Sequence, residues 1–271
     1  MNNNPIDIRF QKLRADNKKA FIPFITAGDP STNATYLIAK AMIENGADVI
    51  EFGVPYSDPS ADGPVIMRAD ERALAAGTRL TDVFDVCRKV TTDYPDIPVL
   101  LLLYYNSVFV YGKDKFLSAC KDNGISGLII PDLPFEERDE LEPTADRYGI
   151  YLISMVTPTS FDRIRTIVPE AKGFLYCVST SGVTGERQTF ETHFQEYMNS
   201  LNNYSDIPKC LGFGISTPEQ KRAMEKCCDG IIVGSALVKQ IESAVHDHLS
   251  ETEIAEKLGA VVKTFTEDFI C

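Results

Sequence analysis

The chain has 271 residues, with 27 Lys or Arg against 39 Asp or Glu, so its formal net charge is −12. Hydrophobic residues make up 44% of it, enough for a full core, which excludes a disordered chain. An acidic surface repels phosphate backbones and therefore disfavours nucleic-acid binding. The length fits two small domains or one α/β barrel, since such barrels typically have about 250 residues.

The predicted elements alternate between short strands and amphipathic helices. An N-terminal helix is expected at about Ile6–Ala15 and a C-terminal helix at about Glu251–Glu267. Eight strands are predicted between them: Phe21–Thr26, Asp48–Phe52, Val99–Tyr105, Gly127–Ile130, Ile150–Met155, Gly173–Val178, Lys209–Phe213 and Gly230–Val233. Their near-continuous apolar character is typical of parallel strands covered by helices. The pattern predicts one (β/α)₈ TIM-barrel domain over residues 1–271, with a doubly wound sheet as the alternative.

Signals for export, membrane insertion and metal binding are missing from the sequence. The N-terminus has no basic segment followed by an apolar one, and the run Val99–Leu103 is far shorter than the roughly 18 apolar residues of a membrane span. The seven cysteines form no C-x-x-C pair, which favours reduced, buried thiols. His246 and His248 lie two apart on a predicted helix and do not share a face. We therefore expect a cytoplasmic protein without a metal site.

Two carboxylates stand out after the second strand, at the barrel end where active sites lie. Alternation along the strand places Glu51 inside the barrel, because the apolar pair Ile50 and Phe52 suits the helix-covered outside. A desolvated carboxyl there would have a raised pKa and could act as a general acid or base. Pairing with a neighbouring cation is an equally good reading for Glu51 alone. Asp58 and Asp62 follow in a Pro- and Gly-rich loop, where turn formation is the alternative role, strongly so for Asp58.

Glycine-rich turns follow the sixth, seventh and eighth strands. They read SGVTGE (Ser181–Glu186), GFGIST (Gly212–Thr217) and VGSALV (Val233–Val238). Gly234 and Ser235 open the last helical segment, so their amides and the Ser hydroxyl can bind an anion without a lysine. One such turn is weak evidence, but three at consecutive strand ends favour a phosphate site.

Several segments together resemble the family of tryptophan synthase α subunits over nearly the whole chain. They are, in order, PFITAGDPS (Pro23–Ser31), EFGVPYSDPSADGP (Glu51–Pro64), YYNSVFVYG (Tyr104–Gly112), PDLPFEE (Pro131–Glu137) and the three glycine-rich turns. The resemblance implies a lyase that cleaves indole-3-glycerol phosphate to indole and glyceraldehyde 3-phosphate. It also implies an αββα complex, in which indole passes to a β subunit that carries pyridoxal phosphate. No cofactor is implied for this chain.

The same resemblance assigns roles to individual residues. Glu51 would be the general acid/base, and Asp62 would hold the indole N–H and stabilise the developing cation. The expected substrate-binding residues are Phe24, Leu102, Ile129, Ile153, Tyr176, Thr184 and Phe213. The expected phosphate-binding residues are Gly185, Gly214, Gly234 and Ser235. The expected contacts with the β subunit are Asp58, Pro131, Asp132 and Pro134.

Three alternatives remain open at this point. The chain could be a lyase that releases free indole without a partner, or a regulatory subunit that mainly activates its partner. A barrel that handles another sugar phosphate is the structural fallback. The apolar positions expected around the substrate disfavour that fallback, and the carboxylates disfavour a subunit without chemistry.

Overall fold

The computed structural model describes residues 4–158, 161–178, 197–212, 215 and 217–267. Within them, nine parallel strands form one sheet in the order β5-β4-β3-β2-β1-β9-β8-β7-β6. The strands are β1 (Ala20–Thr26), β2 (Ile50–Gly53), β3 (Val99–Leu102), β4 (Ile125–Ile129), β5 (Tyr151–Leu152), β6 (Ser154–Val156), β7 (Leu175–Val178), β8 (Lys209–Gly212) and β9 (Gly230–Val233). The predicted TIM-barrel fold class is confirmed.

The predicted fifth strand, Ile150–Met155, is split into β5 and β6. β5 pairs with β4, whereas β6 pairs with β7, so a single stretch of chain joins the two ends of the sheet. Ile153 lies between the two pieces and donates its backbone N–H to Leu128 O over 2.9 Å. The buried Arg138 guanidinium donates to the Leu152 carbonyl and, over 2.7 Å, to Ser154 Oγ. These bonds satisfy polar groups at a point where the regular strand ladder is interrupted.

Strand β1 is shared between the two sides of the barrel. Its first half, Ala20–Pro23, pairs with β9, and its second half, Phe24–Thr26, pairs with β2. β1 is buried at every position, as the uninterrupted apolar sequence predicts. The barrel wall therefore has two halves. One half contains β1 to β5 and the other contains β6 to β9, and β1 pairs with both of them.

Helices connect the strands and cover the outside of the barrel. Their bounds are α1 (Pro5–Ala15), α2 (Thr32–Glu44), α3 (Pro64–Ala75), α4 (Leu80–Asp93), α5 (Tyr105–Tyr111), α6 (Lys113–Asp122), α7 (Glu142–Tyr148), α8 (Phe161–Glu170), α9 (Pro218–Met224), α10 (Ser235–His246) and α11 (Glu251–Thr266). Short 3₁₀ helices lie at Phe135–Glu140 and Glu225–Cys227. The predicted terminal helices correspond to α1 and α11. None of the helices described here is long and apolar enough to cross a membrane.

The third strand is shorter than the predicted Val99–Tyr105. It ends at Leu102, and α5 begins at Tyr105 although the apolar sequence continues. Both carboxylate oxygens of Asp132 accept the backbone N–H of Tyr105, over 2.9 and 3.1 Å. An acceptor from a distant loop satisfies one of the free N–H groups at the start of the helix, and such a contact is not visible in the local sequence.

The barrel interior is closed at the N-terminal ends of the strands by α1. Ile6, Phe10 and Leu13 of that helix pack into the inner core cluster, which also contains inward residues of the strands. Asn4 precedes the helix and donates to the carbonyls of Ser126 and Gly149, both over 2.9 Å. This end of the barrel is therefore apolar and plugged, and the opposite end remains for a ligand.

Candidate active site

Glu51 projects from β2 into the barrel, as the alternation of that strand predicts. Its neighbours Ile50 and Phe52 belong to the core between strands and helices, while Val49 belongs to the inner core. Glu51 pairs in register with Phe24 of β1 and Leu100 of β3, and its side chain is fully buried. The strand geometry thus places a carboxyl group in an apolar interior.

The electrostatic environment of Glu51 favours the protonated form. Neither carboxyl oxygen has a hydrogen-bond partner among the described residues, so the expected alternative of a paired cation is not observed there. Burial, with a smaller contribution from the negative charge of Asp62, raises the pKa of Glu51 to about 8. A carboxylic acid that carries its proton at neutral pH is suited to general acid catalysis.

Asp62 lies in the loop between β2 and α3 and is held by a tyrosine. The Tyr104 hydroxyl donates to Asp62 Oδ2 over 2.7 Å and accepts the Ala61 backbone N–H over 2.8 Å. The Tyr56 ring stacks on the Tyr104 ring with 4.9 Å between centroids. Burial raises the pKa of Asp62, and the bond from Tyr104 opposes that shift. Tyr104 lies within the third predicted strand, Val99–Tyr105, and nothing in its local sequence distinguishes it from the adjacent Tyr105.

Five of the residues predicted to line an apolar pocket are described by the structure. They belong to, or pack against, two adjoining clusters of buried side chains. Phe24 belongs to a small cluster at the mouth, whereas Ile129, Ile153 and Tyr176 belong to the inner core, and Leu102 packs against both. Burial raises the pKa of Tyr176 well above 10, and the charges of Glu51 and Asp62 add to the shift. Thr184 and Phe213 lie outside the described residues.

Two strand glycines leave room for aromatic rings of this pocket. A Cβ on Gly53 would lie 2.6 Å from Cζ of Phe24, and a Cβ on Gly212 would lie 2.4 Å from Cε1 of Tyr176. Both distances are too short for a side chain, so the rings lie directly against the strand backbone. Gly53 and Gly212 thus provide the space that the Phe24 and Tyr176 rings occupy.

Of the predicted phosphate-binding residues, the structure describes Gly234 and Ser235. Ser235 is the first residue of α10 and is exposed, and Gly234 precedes it. A Cβ on Gly234 would lie 3.2 Å from Cδ1 of Phe24, so this helix N-terminus adjoins the apolar pocket. Free N–H groups at a helix N-terminus favour an anion. Gly185 and Gly214 lie outside the described residues.

Known proteins resemble this chain over almost its full length. A family model described as tryptophan synthase alpha chain matches residues 10–267. The tryptophan synthase alpha chain of Thermoanaerobacter pseudethanolicus is 52% identical over 264 residues, which cover 97% of this chain and 99% of that protein. The one of Clostridium kluyveri is 43% identical over 256 residues, or 94% and 95% of the two chains. The crystal structure of the alpha subunit from Legionella pneumophila has a TM-score of 0.89 at 35% identity and covers 97% of each chain.

The chain is a member of the tryptophan synthase alpha chain family. The family assignment agrees with the barrel fold described above. The residues predicted to contact a β subunit remain a prediction, and the structure gives their exposure. Asp58, Asp132 and Pro134 are exposed and Pro131 is half-buried. Asp132 also anchors the start of α5, as described above.

A group of charged residues around α3 was missed by the sequence analysis. Asp70 is almost fully buried, and burial together with the charge of Asp62 raises its pKa to about 7. Arg72 makes two bonds to the buried Asp29, of 2.8 and 2.7 Å, and one of 3.2 Å to Glu242 of α10. Helical spacing could have placed Asp70 on the same face as Ile66 and Ala73, which are also buried. Within the described residues, no group of three His, Cys, Asp or Glu side chains is arranged to hold a metal ion.

Proposed function

We propose that Glu51 and Asp62 carry out the reaction of this family in the present chain. As a tryptophan synthase alpha chain, the protein is a lyase that cleaves indole-3-glycerol phosphate to indole and glyceraldehyde 3-phosphate. The observation that carries the assignment is the isolated carboxyl group of Glu51, which is fully buried and has a pKa of about 8. A group that both gives and accepts a proton near neutral pH is what a retro-aldol cleavage requires.

Glu51 serves in both proton transfers of the cycle. Its protonated form delivers the proton to C3 of the indole ring, which leaves a Glu51 carboxylate and a cationic ring. The carboxylate then accepts the proton of the glycerol hydroxyl while the bond between C3 and the glycerol chain breaks. Electrons of that bond return to the indole ring, and Glu51 regains its proton. The carboxyl therefore ends the cycle in its starting form.

Asp62 stabilises the cationic ring in this scheme. Its carboxylate accepts the indole N–H and places negative charge close to the nitrogen where positive charge develops. The hydroxyl of Tyr104 holds one carboxylate oxygen at 2.7 Å, which fixes the direction of the other. A preorganised charge in a site of low dielectric constant stabilises the transition state more than the ground state.

The other predicted site residues complete the substrate site. Phe24, Leu102, Ile129 and Ile153 surround the indole ring, together with Phe213. Tyr176 contacts the glycerol portion of the substrate, and Thr184 is a further substrate-binding residue. The phosphate binds at Gly185, Gly214, Gly234 and Ser235. The supporting observations are the contact of Leu102 with both apolar clusters and the free N-terminus of α10 beside Phe24.

The partner is a tryptophan synthase β subunit, which carries the pyridoxal phosphate. The two kinds of subunit form an αββα heterotetramer. Solved relatives include a Mycobacterium tuberculosis tryptophan synthase in an aminoacrylate-bound form. The proposed contact face contains Asp58, Pro131, Asp132 and Pro134. Next to it, α5 exposes 64% of Phe109 and 76% of Val110, which is unusual for large apolar side chains. A cytoplasmic location is proposed as well, because Cys87, Cys120, Cys177, Cys210, Cys227 and Cys228 are free thiols.

The test is the release of glyceraldehyde 3-phosphate from indole-3-glycerol phosphate, with and without a tryptophan synthase β subunit. Slow turnover alone and a large gain with the partner is the expected result. Equally fast turnover in both conditions would replace the proposal by a lyase that releases free indole. No turnover in either condition would leave a binding role for this chain.

A further inference from the structure

Arg138 is a buried arginine next to Ile153, one of the residues of the proposed indole pocket. It belongs to the short 3₁₀ helix Phe135–Glu140, and only 6% of the residue is exposed. The other residues of that helix are exposed or half-buried, so one charged side chain reaches from the connection after β4 into the barrel wall. An arginine keeps its charge in a protein interior, and its burial therefore requires acceptors.

The acceptors of the Arg138 guanidinium lie on either side of Ile153. Nη2 of Arg138 donates to the carbonyl of Leu152, and Nη1 donates to Ser154 Oγ over 2.7 Å. The N–H of the peptide unit that follows Leu152 belongs to Ile153, and it donates to Leu128 O over 2.9 Å. This planar unit is therefore held at both its carbonyl and its N–H, which fixes the backbone direction at Ile153.

Regular strand pairing gives less support at this point than elsewhere in the sheet. Leu152 pairs in register with Leu128 of β4, whereas Ser154 pairs with Leu175 of β7, so the ladder changes its partner strand at Ile153. A cavity of about 20 Å³ adjoins the break and is lined by Leu128, Ile130, Leu133, Arg138, Leu152 and Ile153. Close packing normally holds side chains in place, and a cavity beside the break gives the chain room to shift.

Arg138 approaches the wall from the side of the covering helices. Of the residues that line the cavity with it, Leu128 and Leu152 belong to the core between strands and helices, whereas Ile153 belongs to the inner core. The inner core also contains Ile129 and Tyr176 of the proposed substrate site. Arg138 can therefore act on the pocket through the backbone of Ile153.

The negative charge beside Arg138 has a second cationic partner. Glu142 Oε2 lies 3.9 Å from Nε of Arg138, and Lys172 Nζ lies 3.1 Å from the other carboxylate oxygen of Glu142. Lys172 also pairs with Asp146 over 2.6 Å. Removal of the Arg138 charge thus leaves Glu142 paired, and the contacts that distinguish Arg138 are its two hydrogen bonds at the strand break.

We propose that Arg138 is a positioning residue for the indole pocket, because its two hydrogen bonds fix the backbone at Ile153 and with it the Ile153 side chain in the pocket wall. The inference rests on the proposed binding of indole by Ile153. The phosphate end of the proposed site lies at the N-terminus of α10, on another strand. Loss of the Arg138 bonds should therefore weaken binding of the indole ring and leave binding of the phosphate unchanged.

The test measures the Kd of two probes for the full chain by calorimetric titration. Indolepropanol phosphate carries both the ring and the phosphate, whereas glycerol 3-phosphate lacks the ring. Arg138→Met replaces the guanidinium by an unbranched side chain that cannot donate. The Kd of indolepropanol phosphate is expected to rise about fivefold, and the Kd of glycerol 3-phosphate should not change. A substitution that merely loosened the fold would weaken both probes alike.

Arg163→Met is the matched control, since Arg163 binds the same 3₁₀ helix from its exposed side. Its guanidinium donates to Glu136 over 2.9 and 2.5 Å, and 47% of its side chain is exposed. This variant should bind both probes as the parent chain does. Ser154→Ala removes one of the two acceptors and is expected to raise the Kd of indolepropanol phosphate about twofold. It decides the question if far-ultraviolet circular dichroism shows that Arg138→Met does not fold.

An unchanged Kd of indolepropanol phosphate in Arg138→Met, or an equal weakening of both probes, would overturn the proposal. Unchanged binding by Ser154→Ala would do the same if Arg138→Met does not fold. Ile153→Ala separates the two levels of inference. If it binds indolepropanol phosphate as tightly as the parent chain, the proposed role of Ile153 fails and that of Arg138 fails with it. If only Ile153→Ala binds this probe weakly, the positioning role of Arg138 alone is overturned.

Discussion

The two ends of the barrel interior are buried to a similar degree but are built from different chemistry. At the N-terminal end of the strands, α1 inserts Ile6, Phe10 and Leu13, and the ring of Phe10 packs on Phe174 with 5.6 Å between centroids. At the opposite end, the fully buried Glu51 has no hydrogen-bond partner among the described residues. Apolar burial stabilises the first end, whereas an unpaired carboxyl destabilises the second.

This difference separates stability from activity within one core. The plugged end contributes to the free energy of folding and contains no group that can transfer a proton. The open end holds Glu51 and Asp62 at a cost in stability, which is typical of catalytic groups. Substitutions at the plugged end should therefore lower stability and leave turnover unchanged. Substitutions of the carboxylates at the open end should lower turnover and leave the fold intact.

The largest effect is expected for Glu51→Gln. Turnover should fall by about 10³-fold or more, because the amide cannot give or accept the proton that the reaction requires. The folded structure should persist, since Gln has the shape of the protonated acid. Steady-state assays and far-ultraviolet circular dichroism check both statements. Near-normal turnover would remove Glu51 from the mechanism.

At the plugged end, Phe10→Ala should lower the free energy of unfolding by about 3 kcal/mol, because it leaves a cavity in a tightly packed core. Turnover per folded molecule should remain unchanged. Urea denaturation combined with activity assays at low temperature tests this. A loss of turnover as large as the loss in Glu51→Gln would contradict the separation of the two ends.

Asp62→Asn should reduce turnover by about 10²-fold through loss of negative charge beside the indole nitrogen. The Tyr104 hydroxyl can still donate to the amide oxygen, so the loop should keep its position. Tyr104→Phe is a useful comparison, because it removes the hydroxyl and leaves the Asp62 charge in place. Equal kinetics for Asp62→Asn and the parent chain would refute the electrostatic role.

The pH dependence of stability should also differ between Glu51→Gln and the parent chain. The pKa of Glu51 is about 8 when folded and near 4.5 when unfolded, so between these values the folded state holds the extra proton. The stability contribution of Glu51 therefore falls as pH rises through this window, by at most about 1.4 kcal/mol per pH unit. Glu51→Gln should gain on the parent chain from pH 5 to 7 in chemical denaturation. A constant difference would show that Glu51 is ionised in the folded state.

The smallest effect on the kinetics is expected for a substitution at the proposed phosphate-binding helix. Ser235→Asp places a like charge at the N-terminus of α10 and should raise KM by about tenfold, with little change in kcat. Because Ser235 is exposed, stability should be nearly unaffected. Ser235→Ala serves as the control for loss of the hydroxyl alone. An unaltered KM for Ser235→Asp would count against a phosphate at this helix.

The sequence was sufficient to predict the barrel and the inward direction of Glu51, because both depend on local alternation. Other features depend on contacts between residues far apart in the chain. The early end of β3 requires the Asp132 carboxylate at Tyr105, and the break at Ile153 requires pairing with two different strands. The pairing of Tyr104 with Asp62 spans 42 positions, and the burial of Asp70 depends on how α3 packs on β1 and the loop. None of these contacts leaves a periodic signal in the chain.

The divided pairing of β1 has a consequence for the way a ligand would act on the whole barrel. Glu51 lies on β2 and Asp62 in the loop after it, on the side of the barrel that runs from β1 to β5. Gly234 and Ser235 follow β9, the last of the strands that return from β6. A substrate that places its indole ring beside Glu51 and Asp62 and its phosphate at Gly234 and Ser235 would connect the two halves of the barrel. Intact substrate analogues should therefore raise the unfolding temperature more than indole and a free phosphate ester supplied together, because one molecule holds both halves at once.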